Sequence, residues 1–325
     1  AYIDFIGDTT YTDYGLRVLR GNTGANAISQ ILHRGTGDLQ IRAAEAAAIN
    51  LQTNGNNSRI YIASDGDVGI NQNNPETNLH VTGNMMVQNS VGNHLTLRST
   101  VGNGNDSTLR FQKARGGSGT AAIVIDNDDL GMINWSGYDG SDYSVSAQIY
   151  AEVDGTPGSG DVPTRLIFAT KPAGTAIQQR MVIHKDGYIT KPHQPYFNAN
   201  ANPSLDGNGI VKGFTNVPIN NGNHYNNTNG VFTAPVAGFY WFSVGIWCSS
   251  AQASPATSVI LSMVYKNLAG NTSTFGGCNV VDQYDQAHAS AGIYMVAGAE
   301  VYIDTTAFSI QASTPRNYFS GYLVG

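Results

Sequence analysis

The side chains able to ligate a metal or perform catalysis are sparse and poorly placed for either. The seven histidines, His33, His80, His94, His184, His193, His224 and His288, are scattered, none at zinc-site spacing from a second ligand. His-Glu-x-x-His, Gly-x-Ser-x-Gly, a phosphate-cradling glycine loop and Cys-x-x-Cys are all missing. Asp126-Asn127-Asp128-Asp129 opens like a calcium-binding EF-hand loop. However, Leu130 falls at a ligand position and Gly137 where the bidentate Glu belongs, so the segment reads as a solvated turn. What remains is recognition chemistry. Stretches 220–229, 249–258, 270–278 and 282–288 are rich in Asn, Ser, Gly and amide groups that exchange hydrogen bonds with sugar hydroxyls. Within them Tyr225, Phe275 and Tyr284 are aromatic rings suited to stacking on a sugar face, or to tucking into a core.

Composition narrows the classes further. Only 12% of the 325 residues are charged and 41% are hydrophobic, with 38 Gly, against ~25% charged in an average domain. This is not the charge-rich composition of a disordered tail. The formal charge of −6 argues against a nucleic-acid partner, which demands a basic face. No apolar run approaches the ~18 residues of a membrane span. The chain opens at Ala1 without a charged-then-apolar leader, so no secretion signal is expected, and an N-terminal part is expected to be missing. Cys248 and Cys278 are too few to staple a chain this long. They are expected as two free, half-buried thiols, with a disulfide between them the competing reading, and stability must come from burial or oligomerisation.

The elements that carry these residues are strands. In Leu39, Ile41, Ala43, Ala47, Ile49 and Leu51 every second residue is apolar, with Glu45 the one exception, and this period of two outvotes the helix propensity of the Ala run. Small Ala side chains on one face suit a narrow axis between several chains. Alternation recurs at 59–62, 121–125 and 164–168, punctuated by turn clusters such as Asn54-Gly55-Asn56-Asn57 and Gly102-Asn103-Gly104-Asn105. There is also an internal repeat. Arg59-Ile60-Tyr61-Ile62-Ala63-Ser64-Asp65-Gly66-Asp67-Val68 aligns without gaps on Arg180-Met181-Val182-Ile183-His184-Lys185-Asp186-Gly187-Tyr188-Ile189. Each copy predicts a strand, an Asp-Gly turn and a returning strand. Their separation is too long for a solenoid unit of ~20–50 residues, so the same module end is used twice.

Asp65 to Asn84, with Asp-Gly-x-Val-Gly-Ile, Asn-Pro and Leu-x-Val-x-Gly-Asn in order, resembles a hinge segment of bacteriophage tail fibres and tailspikes. The stretches Leu130 to Gly140, Ala151 to Gly160 and Arg165 to Thr170 resemble, in that order, a module frequent in such fibres. Pro192 and Pro195, which cannot donate to a sheet ladder, mark the next boundary. Beyond it, Asn223 to Ser243, Val296 to Tyr302 and Tyr318 to Val324 resemble the globular head of complement component one-q, a jelly roll of the tumour-necrosis-factor superfamily. Ala299 stands where that family usually has Asp. The resemblance implies a ten-stranded sandwich that trimerises. Independently of it, Trp241, between Tyr240 and Phe242 on a strand opened by Ala-Pro and Ala-Gly turns, reads as core or trimer interface and not as a ligand site. The resemblance also implies that Asp285 and Gln286, with Asp282 nearby, lie close to the trimer axis, where several members bind calcium. The residues that follow, Ala287-His288-Ala289-Ser290, depart from the family's Ala-Ser-Gly, and a plain polar loop is the competing reading.

The expectation is therefore an all-β, elongated homotrimer. Residues 1–90 form a fibrous β shaft with the hinge segment, 91–192 a β-rich middle module and 193–325 a jelly-roll head. The expected role is attachment: the distal part of a phage tail fibre in the virion, assembled in the host cytoplasm, that binds a host-surface glycan or protein. Its remaining partners are tail-fibre or baseplate proteins at the N-terminal end. A polysaccharide-degrading tailspike is one alternative, although the periodic short coils that usually hold its paired carboxylates are missing. A bacterial surface or spore-coat filament protein is the other.

Overall fold

A computed structural model describes residues 1–7, 9–100, 102, 104, 106–117, 120–205, 209–247, 259–280, 286–306, 310–311 and 316–324. It is all-β: no helix occurs among the described residues, and so none is long and apolar enough to cross a membrane. The chain divides into two compact units, Ala1–Ser107 and Thr108–Gly325.

The first unit holds two small sheets. β1 (Tyr2–Phe5), β2 (Leu16–Arg20) and β3 (Ser29–His33) form an antiparallel meander. It is braced by Arg17, which bonds Asp4 at 2.6 and 2.8 Å and lies over the rings of Tyr2 and Tyr14. β4 (Ile49–Thr53), β5 (Asn57–Ile62), β6 (Val68–Ile70) and β7 (Leu79–Val81) form the second sheet, with β6 and β7 parallel. The expected strand through 39–51 is corrected here. Residues 39–48 are not in a strand and Ala43 and Ala47 share no sheet face; only Ile49 onward pairs, with β5. A strand exists only where its N–H and C=O groups meet a neighbouring strand, and 39–48 has none among the described residues. Residues 84–100 form no strand at all.

In the second unit, β8 (Asp129–Tyr138), β9 (Tyr143–Val153), β10 (Thr164–Thr170), β11 (Gln178–Ile183) and β12 (Ile189–Thr190) form one antiparallel sheet in sequence order. The expected strand over 121–125 reduces to a single bridge between Arg115 and Ala122. The Asp126 turn is exposed yet tied down. Asp126 accepts the Gly155 N–H at 2.7 Å, Asn127 accepts Arg165 at 2.6 Å, and Asp128 takes Arg115 bidentately at 2.6 and 2.7 Å.

The internal repeat is real in three dimensions. In one copy Ile62 pairs with Val68 and Gly66 N–H donates to Ala63. In the other, Ile183 pairs with Ile189 and Gly187 N–H donates to His184. Gly66 and Gly187 take φ of 97° and 85°, the left-handed region that a Cβ disfavours.

After the 191–195 linker, the head is a sandwich of two five-stranded sheets. One has the order β16 (Asn216–Asn221), β13 (Tyr196–Asn200), β24 (Tyr318–Leu323), β19 (Gly238–Trp247), β22 (Gln286–Met295). The other runs β17 (Tyr225–Asn226), β18 (Val231–Thr233), β23 (Glu300–Thr306), β20 (Val259–Lys266), β21 (Thr272–Val280). A ribbon of β14 (Ser204–Leu205) and β15 (Val211–Lys212) lies outside both sheets. Aromatic rings fill the space between them: Phe197, Phe232, Tyr240, Phe242 and Phe319 are buried and in mutual stacked or edge contact. Alternation along β13, β19 and β24 supplies Phe197, Tyr240, Phe242 and Phe319 to one face only, and β18 of the facing sheet supplies Phe232.

Candidate functional site

Period-two alternation also determines what the head sheet shows on its other side. Tyr240 and Phe242 are 0% exposed, whereas the intervening Trp241 is 38% exposed. Of the two places expected for Trp241, core or trimer interface, the core is excluded, because the core face of β19 is already taken by its two neighbours. Register extends the pattern across four strands. Tyr196 pairs with Tyr322, Tyr322 with Trp241, and Trp241 with Gly292. In the adjacent row Phe239 pairs with Tyr294, and Val324 N–H donates to Phe239 at 2.8 Å. Tyr196, Phe239, Trp241, Tyr294, Tyr322 and Val324 are all exposed, Tyr294 at 63%. Gly292 makes room for this layer: a Cβ there would meet Cζ of Phe239 at 2.2 Å. The character of the face changes along the strands. The next row, Asn198, Ser320, Ser243 and Ser290, is polar, and beyond it His288 Nδ1 lies 3.1 Å from the Tyr318 hydroxyl.

The three rings expected to stack on sugar fare differently. Tyr225 is 2% exposed and lies flat on Phe197 with centroids 4.5 Å apart, so it belongs to the core. Burial raises its phenol pKa far above the ordinary value, and its hydroxyl has no hydrogen-bond partner among the described residues. Phe275 is half-buried and meets Phe242 edge-on at 6.0 Å. Stretch 270–278, expected as a loop, is mostly strand β21, which turns Phe275 inward. Tyr284 lies outside the described residues, as do stretch 249–258, Cys248, Asp282 and Asp285 of the expected calcium set. Gln286 is described: it opens β22 and its amide donates to the Arg316 carbonyl. Cys278 is half-buried and packs against the head core.

Two features went unread in the sequence. One is the aromatic face itself, legible only once register is known. The other is a pocket of about 340 Å³ where the linker meets the head.

Residues 197–324 match the C1q domain family. The C-terminal part of the chain is a C1q domain, a jelly roll of the type shared with the tumour-necrosis-factor proteins. Among solved structures, the globular domain of zebrafish complement 1qA protein is similar, at 16% identity, over 41% of this chain and 98% of that chain, with a TM-score of 0.31. No curated protein matches the chain.

Proposed function

We propose that the chain is the attachment end of a bacteriophage tail fibre, working as a homotrimer whose head meets a receptor on the host surface. The observation that carries this reading is the aromatic face of the head sheet, which no element of its own chain covers among the described residues. C1q domains typically trimerise, and two further copies are the natural cover. Burying each half-exposed ring is worth on the order of 2 kcal/mol. The first unit makes the same demand. Ala27 and Gly69 are its only buried positions among the described residues, and Tyr2, Ile3, Phe5, Ile28, Ile31 and Leu51 are more than half exposed. Chains wound together would bury these side chains.

The phage assignment rests on the hinge-like segment from Asp65 to Asn84 and the fibre-like module before the head. In that setting the N-terminal unit joins the remaining fibre or baseplate proteins, and the head carries the receptor contacts. Three identical heads raise avidity by ~10²–10⁴ over a single weak site. Peptide mass mapping of purified virions and competition with the infecting particle test the reading together. Peptides of this chain in the virion, with competition by the purified protein, support it. Their detection on bacterial surfaces or spores alone would assign the chain to a cellular filament instead.

A further inference from the structure

The pocket at the linker gathers basic side chains from three parts of the fold. Arg180 comes from β11, Lys191 and His193 from the linker, and His224 from the segment entering β17. Pro235 and Leu323 form its apolar wall. No Asp or Glu lines it among the described residues, an exception in a chain with net charge −6. None of the four basic side chains has an ion-pair partner among the described residues. Arg180 is oriented: its Nε donates to the Thr170 hydroxyl at 2.9 Å, leaving both terminal amino groups available. The linker is fixed as well. Asn221 donates to the carbonyls of Pro192 and Gln194 at 2.9 and 2.7 Å, and Leu323 N–H donates to Pro195 at 3.0 Å. Burial lowers the pKa of His224, which favours its neutral form.

We propose that this pocket binds an anionic group carried on a sugar-sized ring, the carboxylate or phosphate of an acidic glycan. A volume near 340 Å³ is at the small end of ligand sites, ~300–1,000 Å³, and suits one or two rings. The guanidinium and ammonium supply charge-assisted hydrogen bonds to the anion. The Pro235–Leu323 wall takes the apolar side of the ring, where a free inorganic anion would gain nothing. The glycan as biological source rests on the attachment reading above; the anion site itself does not.

The test is calorimetric titration of the full chain with glucuronic acid, glucose 6-phosphate and glucose, before and after the double substitution Arg180→Gln, Lys191→Gln. The site predicts that at least one acidic sugar binds, with glucose weaker by about tenfold or more, and that the double variant loses about tenfold in affinity at an unchanged melting temperature. Glucuronic acid binding alone assigns a carboxylate ligand, and glucose 6-phosphate alone a phosphate. Equal binding of glucose, absence of binding by all three, or an unaffected double variant overturns the proposal. Adhesion of the chain to host cells is scored separately. Adhesion without acidic-sugar binding defeats this site and leaves attachment standing, whereas acidic-sugar binding without adhesion does the reverse.

Discussion

Trp241 lies directly across from Tyr322 on adjacent strands of the head sheet, and both rings face away from the core that Tyr240, Phe242 and Phe319 fill. The contact is cheap to disturb without unfolding the domain, because neither ring contributes to the interior. In the double variant Trp241→Glu, Tyr322→Glu the head is expected to stay folded, with a melting temperature tracking a monomer. Three pairs of carboxylates brought together in an apolar interface cannot be desolvated, so assembly should fail. Size-exclusion with light scattering, alongside near-ultraviolet circular dichroism, reads both properties.

Tyr225 supplies a test of the core assignment. Its hydroxyl is buried and has no partner among the described residues, so Tyr225→Phe removes a desolvated polar atom without opening a cavity. The variant is expected to match the parent or exceed it by up to about 1 kcal/mol. Tyr225→Ala should lose about 3–5 kcal/mol by leaving Phe197 and Phe319 unsupported. Denaturant titration separates the two. A ring exposed for sugar stacking would instead show little stability change with Ala and a loss of binding with Ala but not with Phe, which keeps the stacking face.

Acid should loosen the turn that precedes the middle sheet. Hydrogen bonds from Arg115 and from the Ile125 N–H hold the Asp128 carboxyl at a pKa of about 2, below its ordinary 3.8. A depressed carboxyl stabilises the fold above its unfolded pKa, and that contribution disappears as pH falls through the folded value. The loss therefore falls between about pH 4 and pH 2. Melting curves across this window should be shallower in their pH dependence for Asp128→Asn than for the parent. Identical dependence would show that the Arg115 pair adds nothing.

The twin hairpins predict matched penalties. Gly66→Ala and Gly187→Ala each force a Cβ into a left-handed turn, at a cost of about 1–2 kcal/mol. Asn replacements, which tolerate this conformation, should cost less. Unequal effects at the two sites would be traced by protease sensitivity of the first unit and the second unit separately.

The elements that were legible in the sequence are those whose partners lie close by in the same chain. The Asp65-Gly66 and Asp186-Gly187 hairpins and β10 follow from alternation bounded by turn residues. Ala43 to Ala48 misled because alternation states a preference, and a strand forms only when a second strand is present to pair with it. Tyr225 and Phe275 misled for a different reason. Amide-rich flanks mark a segment as loop-like, but an aromatic ring worth a few kcal/mol on burial draws its own position inward. Trp241 could not be assigned to a face from sequence, since Phe239, Tyr240, Trp241 and Phe242 are all apolar and give no alternation to read. The linker pocket was beyond reach because Arg180, Lys191 and His224 meet only through tertiary contacts.

The central claim is that this chain buries its apolar faces only as three copies, and the solution mass of the 325-residue chain tests it most directly. Light scattering at micromolar concentration should give three times the 34.5 kDa of one chain, and the Trp241→Glu, Tyr322→Glu variant should no longer form that species. A cooperatively folded, soluble monomer of 34.5 kDa, with its aromatic face in water, would contradict the account.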